Sequence, residues 1–408
     1  MNIEKAEMRS WFNKLITFAA EKKASDIFIN TNLPVAMKLD GQLNYLPKAM
    51  MDQEDVYNLI ETIARPEAYQ EFIDNHELNI MVEVPDVTYL RVNVYMQRNM
   101  PGLVLRLIPA IIPELDDLDL PQPDVLRELS MAKRGLVIMV GATGNGKSTT
   151  LAAMVDHRNQ NSQHHIITVE DPIEFMHKSK KSVVIQREVG VDTKSYGAAL
   201  KNSLREAPDV ILIGEIRDVE TMGYALQFAE TGHLCMATLH ATNSVQALER
   251  IYNFFPLDQR EKLQLDLSEN LRCLVTQRLL PRKGGGRVVA MEMMMNTPYI
   301  AQLILEGQVG KIHEVLERGE AERGVFSFDR SIFDLYEKDE IEYHEALKYV
   351  HSENDFRIRV RTQSKRRLPD ELKASGDVFS VQSDDKLEHE LLLKQRQDRK
   401  ASRISTGG

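Results

Sequence analysis

Residues 141–149 read Gly141-Ala142-Thr143-Gly144-Asn145-Gly146-Lys147-Ser148-Thr149, with glycines at both ends of a short loop and a lysine and two hydroxyls behind it. The run matches GxxxxGK[ST], directly after an apolar stretch over 136–140 and directly before a helix-patterned stretch from Thr150 to Asp156. Phosphate oxygens need several backbone N–H donors at close range. Glycines let the main chain approach, and a helix N-terminus adds partial positive charge. In this reading the loop binds ATP, Lys147 pairs with the β and γ phosphates, and Ser148 ligates Mg²⁺. A glycine turn that binds nothing fits the full pattern and its context poorly.

Two acidic constellations follow. Val169-Glu170-Asp171-Pro172-Ile173-Glu174 closes a strand-like run with three carboxylates and a proline, which ends the strand and points acids toward the phosphate side. One of them is expected to polarise the attacking water, with Glu174 the first candidate for general base and Glu170 the second. Downstream, an apolar run from Asp209 ends in Gly214-Glu215-Ile216-Arg217-Asp218, the pattern of a strand-end acid that holds a magnesium shell, here Glu215. Thr231-Gly232-His233 and Thr238-Leu239-His240 bracket the apolar run 234–237, so the two imidazoles sit near the two ends of one strand. Small polar residues before His240, at the carboxyl end where ligands of open α/β sheets gather, favour a γ-phosphate sensor, and His233 is carried with it. A zinc site lacks further ligands.

Positioning these groups requires strands that end together. From residue 135 on, apolar runs at 136–140, 165–169, 182–186, 209–213 and 233–238 alternate with helix-patterned stretches, the signature of a wound α/β domain. Ahead of it, Trp11, Phe12, Leu15, Ile16 and Ala19 share one helical face, and residues 25–29 read as a short strand. Val35–Leu39 and Gln42–Leu46 fit a hairpin around Asp40-Gly41, residues 52–64 a helix, and 89–95 and 103–108 two strands joined through Pro101-Gly102. The stretch from Pro109 to Pro123, with four prolines and several acids, reads as a tether between domains. After about residue 360 the composition predicts a mostly disordered tail, with at most a short helix around Leu387 and Leu391–Leu393.

The 408 residues are enough for two or three domains. A net charge of −10 argues against a protein that mainly grips nucleic-acid phosphates, so no direct nucleic-acid partner is expected. Cys235 and Cys273 stand alone in apolar surroundings and read as buried thiols in a reducing compartment. The amino terminus lacks the pattern of a signal peptide, and no apolar run approaches the roughly 20 residues that span a bilayer, so a cytoplasmic chain without a transmembrane segment is expected.

Taken together, blocks 141–149, 168–175, 204–218 and 231–242 resemble, in order, the Walker A, Asp box, Walker B and His box of the secretion-type ATPases of type II secretion and type IV pili. The similarity spans residues from about 5 to 360. It implies a hexameric ring whose subunits pair a PAS-like N-terminal α/β domain, here 1–108, with a RecA-like P-loop domain, here 124–360. It also implies that Arg91 and Arg106 are arginines the N-terminal domain offers to nucleotide; by themselves they are two cations on β-rich strands. The chain resembles the pilus-retraction branch, and in the departure at Ala301–Glu306 and the long tail it is similar to that branch's accessory members. These imply a PilT-like paralogous ATPase and an inner-membrane platform protein as partners, at the cytoplasmic face of the pilus machine. Two other classes compete: a nucleotide-gated docking subunit with little hydrolysis of its own, against which the intact acids speak, and a nucleic-acid motor, which neither the charge nor any aromatic and basic patch supports.

Overall fold

The structure, a computed structural model, describes residues 5–39, 41–109, 111–319, 323–369, 371 and 372. Its first element, α1 (Lys5–Glu21), buries Met8, Phe12, Leu15, Ile16 and Ala19, a helical stripe that covers one face of a sheet. That sheet has six antiparallel strands: β1 (Asp26–Asn30), β2 (Pro34–Leu39), β3 (Gln42–Met50), β4 (Glu77–Val84), β5 (Thr88–Gln97) and β6 (Met100–Ile108). They are ordered β3-β2-β1-β6-β5-β4. Between β3 and β4 come α2 (Gln53–Ile63) and α3 (Pro66–Asn75). Asp52 caps α2 by accepting from Asp55 N, and Asp55 returns the bond, a reciprocal box that fixes where the helix starts.

The turn between β5 and β6 differs from the sequence expectation. Gln97 pairs with Met100, so Arg98 and Asn99 form the two-residue turn, with φ of 49° and 59°. Pro101 and Gly102 instead lie inside β6, where a Cβ on Gly102 would come within 2.6 Å of Asn30 Oδ1. The glycine there serves close packing.

After β6 the expected tether is anchored to the following domain. A short 3-10 turn over Leu115–Leu118 leads to α4 (Pro123–Ser130), and Leu115 and Leu120 are buried beside α4 and the strand that follows. The second sheet then forms from β7 (Gly135–Val140), β8 (His165–Glu170), β9 (Val183–Glu188), β10 (Val210–Ile213), β11 (Leu234–Leu239), β12 (Leu271–Pro281), β13 (Arg287–Met295) and β14 (Val325–Phe326). Its order is β14-β13-β12-β7-β11-β10-β8-β9, and the six strands from β12 to β9 run parallel. All five runs expected as strands are strands. Burial on both faces explains the continuous apolar character of β7, β10 and β11, in which every residue is buried, whereas β9 at the sheet edge leaves Val183 and Ile185 exposed. Cys235 and Cys273 are fully buried on β11 and β12.

The crossover helices are α5 (Lys147–Asn161), α6 (Tyr196–Ser203), α7 (Val219–Glu230), α8 (Ser244–Phe254) and α9 (Arg260–Asn270), with α10 (Pro298–Leu305) and α11 (Ile312–Arg318) after β13. Both sheets belong to one compact unit, Met1–Leu280 with Arg287–Ser331. A second unit comprises Pro281–Gly286 and the described residues from Ile332 on, with helices α12 (Phe328–Glu337), α13 (Tyr343–Leu347) and α14 (Glu353–Gln363) carrying the chain into and through it. Its core is aromatic: Phe333, Tyr336 and Tyr343 all pack on Phe356. Order runs past the expected start of the tail, since Arg366 stacks on the Tyr336 ring at 4.3 Å and Leu372 is buried. The expected short helix around Leu387 lies outside the described residues. Among the described residues no helix is long and apolar enough to cross a membrane.

Candidate active site

The parallel strands β7, β8, β10 and β11 finish on the same side of the sheet, and the loops after them surround a cavity of about 440 Å³. Carboxyl ends of parallel strands are where open α/β sheets leave room for ligands, because the chain splays into helices there. The residues singled out in the loop after β7 take up that position. Gly141 has φ of 150°, and a Cβ on it would lie 2.6 Å from the carbonyl oxygen of Gln277 on β12. Gly146 begins α5 in the left-handed region, φ 80°, with a Cβ position 2.8 Å from Gln277 Nε2. Only glycine fits either position.

Gln277 is a site residue that sequence reasoning missed. Buried at 2% exposure, it accepts from the Thr150 hydroxyl at 2.9 Å and walls the loop from the β12 side. Leu279 and Arg287 line the cavity itself, from β12 and β13, and Arg287 reaches the Gly144 carbonyl at 3.5 Å. Nothing local marks these three. Their strands come more than a hundred residues after the loop and reach it only because β12 pairs with β7.

Lys147 is buried, and its ammonium donates to the carbonyls of Gly141 at 2.7 Å and Ala142 at 2.9 Å. Burial pushes its pKa down, while the charges of Glu215 and Glu174 oppose that shift. Thr143, Gly144, Gly146, Lys147, Ser148 and Thr149 all line the cavity, and the Asn145 side chain accepts from Leu279 N at 3.5 Å.

Glu170, Glu174, Glu215 and His240 line the same cavity. Glu170 ends β8 half-buried, and its Oε1 accepts from the Thr168 hydroxyl at 2.7 Å and from Gln186 Nε2 at 3.1 Å. Burial pushes its carboxyl up to about 7, against the pull of these two donors and of the Glu174 backbone. Glu174 is exposed in the loop beyond it. Glu215 is held from two sides: His240 Nε2 lies 3.3 Å from Oε1 and Arg217 Nε 2.7 Å from Oε2. Arg217 also pairs with Asp171 at 2.9 Å, so one guanidinium ties the loops after β8 and β10 together. The sequence showed Arg217 but gave no sign of this bridge.

The two histidines do not meet. His240 follows the carboxyl end of β11, whereas His233 precedes its amino end, roughly 20 Å away at about 3.3 Å per residue. His233 Nδ1 lies 3.0 Å from the Thr231 hydroxyl, and its ring packs edge-on against Phe228. It closes the end of α7. The two imidazoles lie at opposite ends of one strand, as expected; although His233 is carried with His240 as a candidate catalytic residue, of the two only His240 lines the cavity in this chain. Nor do Arg91 and Arg106 line it. Arg91 on β5 pairs with Glu188 on β9 at 3.4 Å, and Arg106 on β6 pairs with Asp26 on β1 at 2.9 Å.

Residues 2–347 match the model of a family described as Type II/IV secretion system protein, which covers most of the chain. The chain belongs to that family. It is 45% identical to the type IV pilus ATPase PilU of Pseudomonas aeruginosa over 86% of its own length and 92% of that protein. To the type IV pilus retraction ATPase PilT of the same organism it is 40% identical, over 75% of its own length and 88% of the relative. Its fold is similar to the crystal structure of the pilus retraction motor PilT with bound ADP, with a TM-score of 0.77, 38% identity, and coverage of 84% of this chain and 98% of that one. The resemblance carried by the four sequence blocks is borne out, and so is an α/β architecture with two sheets shared with this secretion ATPase family.

Proposed function

We propose that the chain is an ATP-hydrolysing motor subunit for type IV pilus retraction, of the PilU kind, acting with a PilT-like paralogous ATPase. The observation that carries this reading is the convergence of Lys147, Glu174, Glu215 and His240 on one cavity in a chain 45% identical to PilU. Residues 1–108 act as a PAS-like domain, 109–123 as the linker, 124–360 as the RecA-like ATPase domain and 361–408 as a tail, in a homo-hexameric ring. The ring works at the cytoplasmic face of the inner membrane against a platform protein.

The loop 141–149 binds the triphosphate through backbone N–H groups, and Lys147 exchanges the carbonyls of Gly141 and Ala142 for the β and γ phosphates. Ser148 and Glu215 fit a Mg²⁺ site, because this ion takes one or two protein oxygens and completes its shell from phosphate and water. When bound it neutralises charge on the phosphoryl oxygens. Glu174 takes a proton from the attacking water as its oxygen bonds to the γ phosphorus and the bond to the bridging oxygen breaks, and ADP leaves. Glu170 stands behind it as the alternative base. His240, on Glu215, senses the γ phosphate. Arg91 and Arg106, released from Glu188 and Asp26, supply charge when an N-terminal domain closes over the cleft.

The test is steady-state phosphate release by the purified chain alone and mixed with the PilT-like paralogue, each with wild type and Glu215→Ala. Turnover that depends on Glu215 is expected in at least one of the two. Full effect of Glu215→Ala on the paralogue's turnover, with no hydrolysis by this chain in either setting, would replace the motor by a nucleotide-gated docking subunit.

A further inference from the structure

The loop from Asp171 to His177, which carries Glu174, has no helix or strand of its own and is held by side chains of β9. Glu188 accepts from the backbone N–H of Ile173 at 3.1 Å. Gln186 makes three further bonds. Its Nε2 donates to the carbonyl oxygen of Phe175 at 2.9 Å and to Glu170 Oε1 at 3.1 Å, and its Oε1 accepts from the backbone N–H of His177 at 2.7 Å. The parallel register sets Gln186 opposite Thr168, whose hydroxyl donates to the same oxygen of Glu170 at 2.7 Å.

We propose that Gln186 is a positioning residue for the carboxylate pair Glu170 and Glu174, clamping the side chain of the first and the backbone that directly follows the second. Only a carboxamide does both, since the clamp needs donors toward two oxygens and an acceptor toward one N–H. The two side-chain donors to the carboxylate, Gln186 and Thr168, both bond Oε1, and the backbone of Glu174 donates to the same group. Glu174 is fixed through its own backbone bond to the Glu170 carboxylate and through Phe175 and His177, which Gln186 holds. The same two donors hold down the proton affinity of Glu170, which burial raises. This inference rests on the reading of Glu174 and Glu170 as the base and its alternative.

Gln186→Glu keeps the length of the side chain, removes both donated bonds and adds a negative charge beside Glu170. The expected result is a fall in kcat of about 10-fold or more, as misplacement of a reacting group by under an ångström produces. KM for ATP should stay within about twofold, because the phosphate loop is untouched. The acidic limb of the kcat–pH profile should move to higher pH by about one unit, since lost donors and an added charge both favour the protonated acid. Gln186→Leu should lose kcat with a smaller displacement of the limb. Binding of a fluorescent ADP analogue, unchanged in both, shows that the variants are folded.

Gln186→Glu with wild-type kcat and an unmoved limb would overturn the proposal. So would a loss of kcat in parallel with ADP binding and thermal midpoint at an unmoved limb, which is what a merely structural residue gives. Glu170→Gln and Glu174→Gln are measured alongside. If both keep wild-type turnover, the base reading itself has failed; if either loses turnover while Gln186→Glu does not, the clamp alone has.

Discussion

The ammonium of Lys147 sits 2.7 Å from the carbonyl oxygen of Gly141, so the cation that the proposed function assigns to phosphate is held by the loop it belongs to. The arrangement keeps a buried charge satisfied. Lys147→Ala removes the cation and should lower kcat/KM for ATP by about 10²–10³-fold, the usual loss when one preorganised charge is removed from a reacting centre. Phosphate release assays across ATP concentrations measure this, and unchanged turnover would overturn the assignment of the loop.

Glu170 gives the protein a pH signature. Its carboxyl is pushed up to about 7 from an ordinary value of 4.5, so the folded chain holds a proton there that the unfolded chain has released. A raised acid contributes stability that is fully present below about pH 4.5 and is lost as pH rises through about 7. Glu170→Gln, which cannot ionise, should therefore gain stability relative to wild type between pH 5 and pH 8, by on the order of 2 kcal/mol. Urea midpoints of both proteins at the two pH values test this, and parallel curves would mean that the carboxyl titrates normally.

A buried carboxylate behind the site makes a structural prediction. Glu292 on β13, 3% exposed, accepts from the backbone N–H of Ser244 at 2.7 Å and so holds the start of α8, just after His240 and the loop 241–243. Glu292→Ala leaves that N–H buried without its acceptor and opens a cavity, and should destabilise the domain by about 2–3 kcal/mol. Chemical denaturation followed by far-UV circular dichroism would show it; a loss below roughly 0.5 kcal/mol, the level of an ordinary surface substitution, would mean that Glu292 carries no weight there.

Much of the site was legible along the chain because its chemistry is written in short runs. The spacing of Gly141, Gly146, Lys147 and Ser148 matches a loop that can wrap phosphate, and the β strands that end at Glu170 and before Glu215 and His240 are continuous apolar runs. Parallel strands buried on both faces leave such runs, so fold class, strand positions and the acids at the strand ends could all be read from local patterns. The expectation failed where a turn depended on backbone sign alone: Arg98-Asn99 adopts positive φ without glycine, while the more obvious Pro101-Gly102 lies in a strand.

What the tertiary structure alone decided is which distant residues face these runs. Gln277 against the loop glycines, Arg217 between Asp171 and Glu215, and Gln186 across Glu170 and the backbone beyond Glu174 depend on strand order and register, which bring residues far apart in the chain within hydrogen-bond reach. His233 shows the converse. Its sequence neighbours suggested a role shared with His240, but a strand separates residues at its two ends by its full length, and so one histidine reaches the cavity and the other closes a helix.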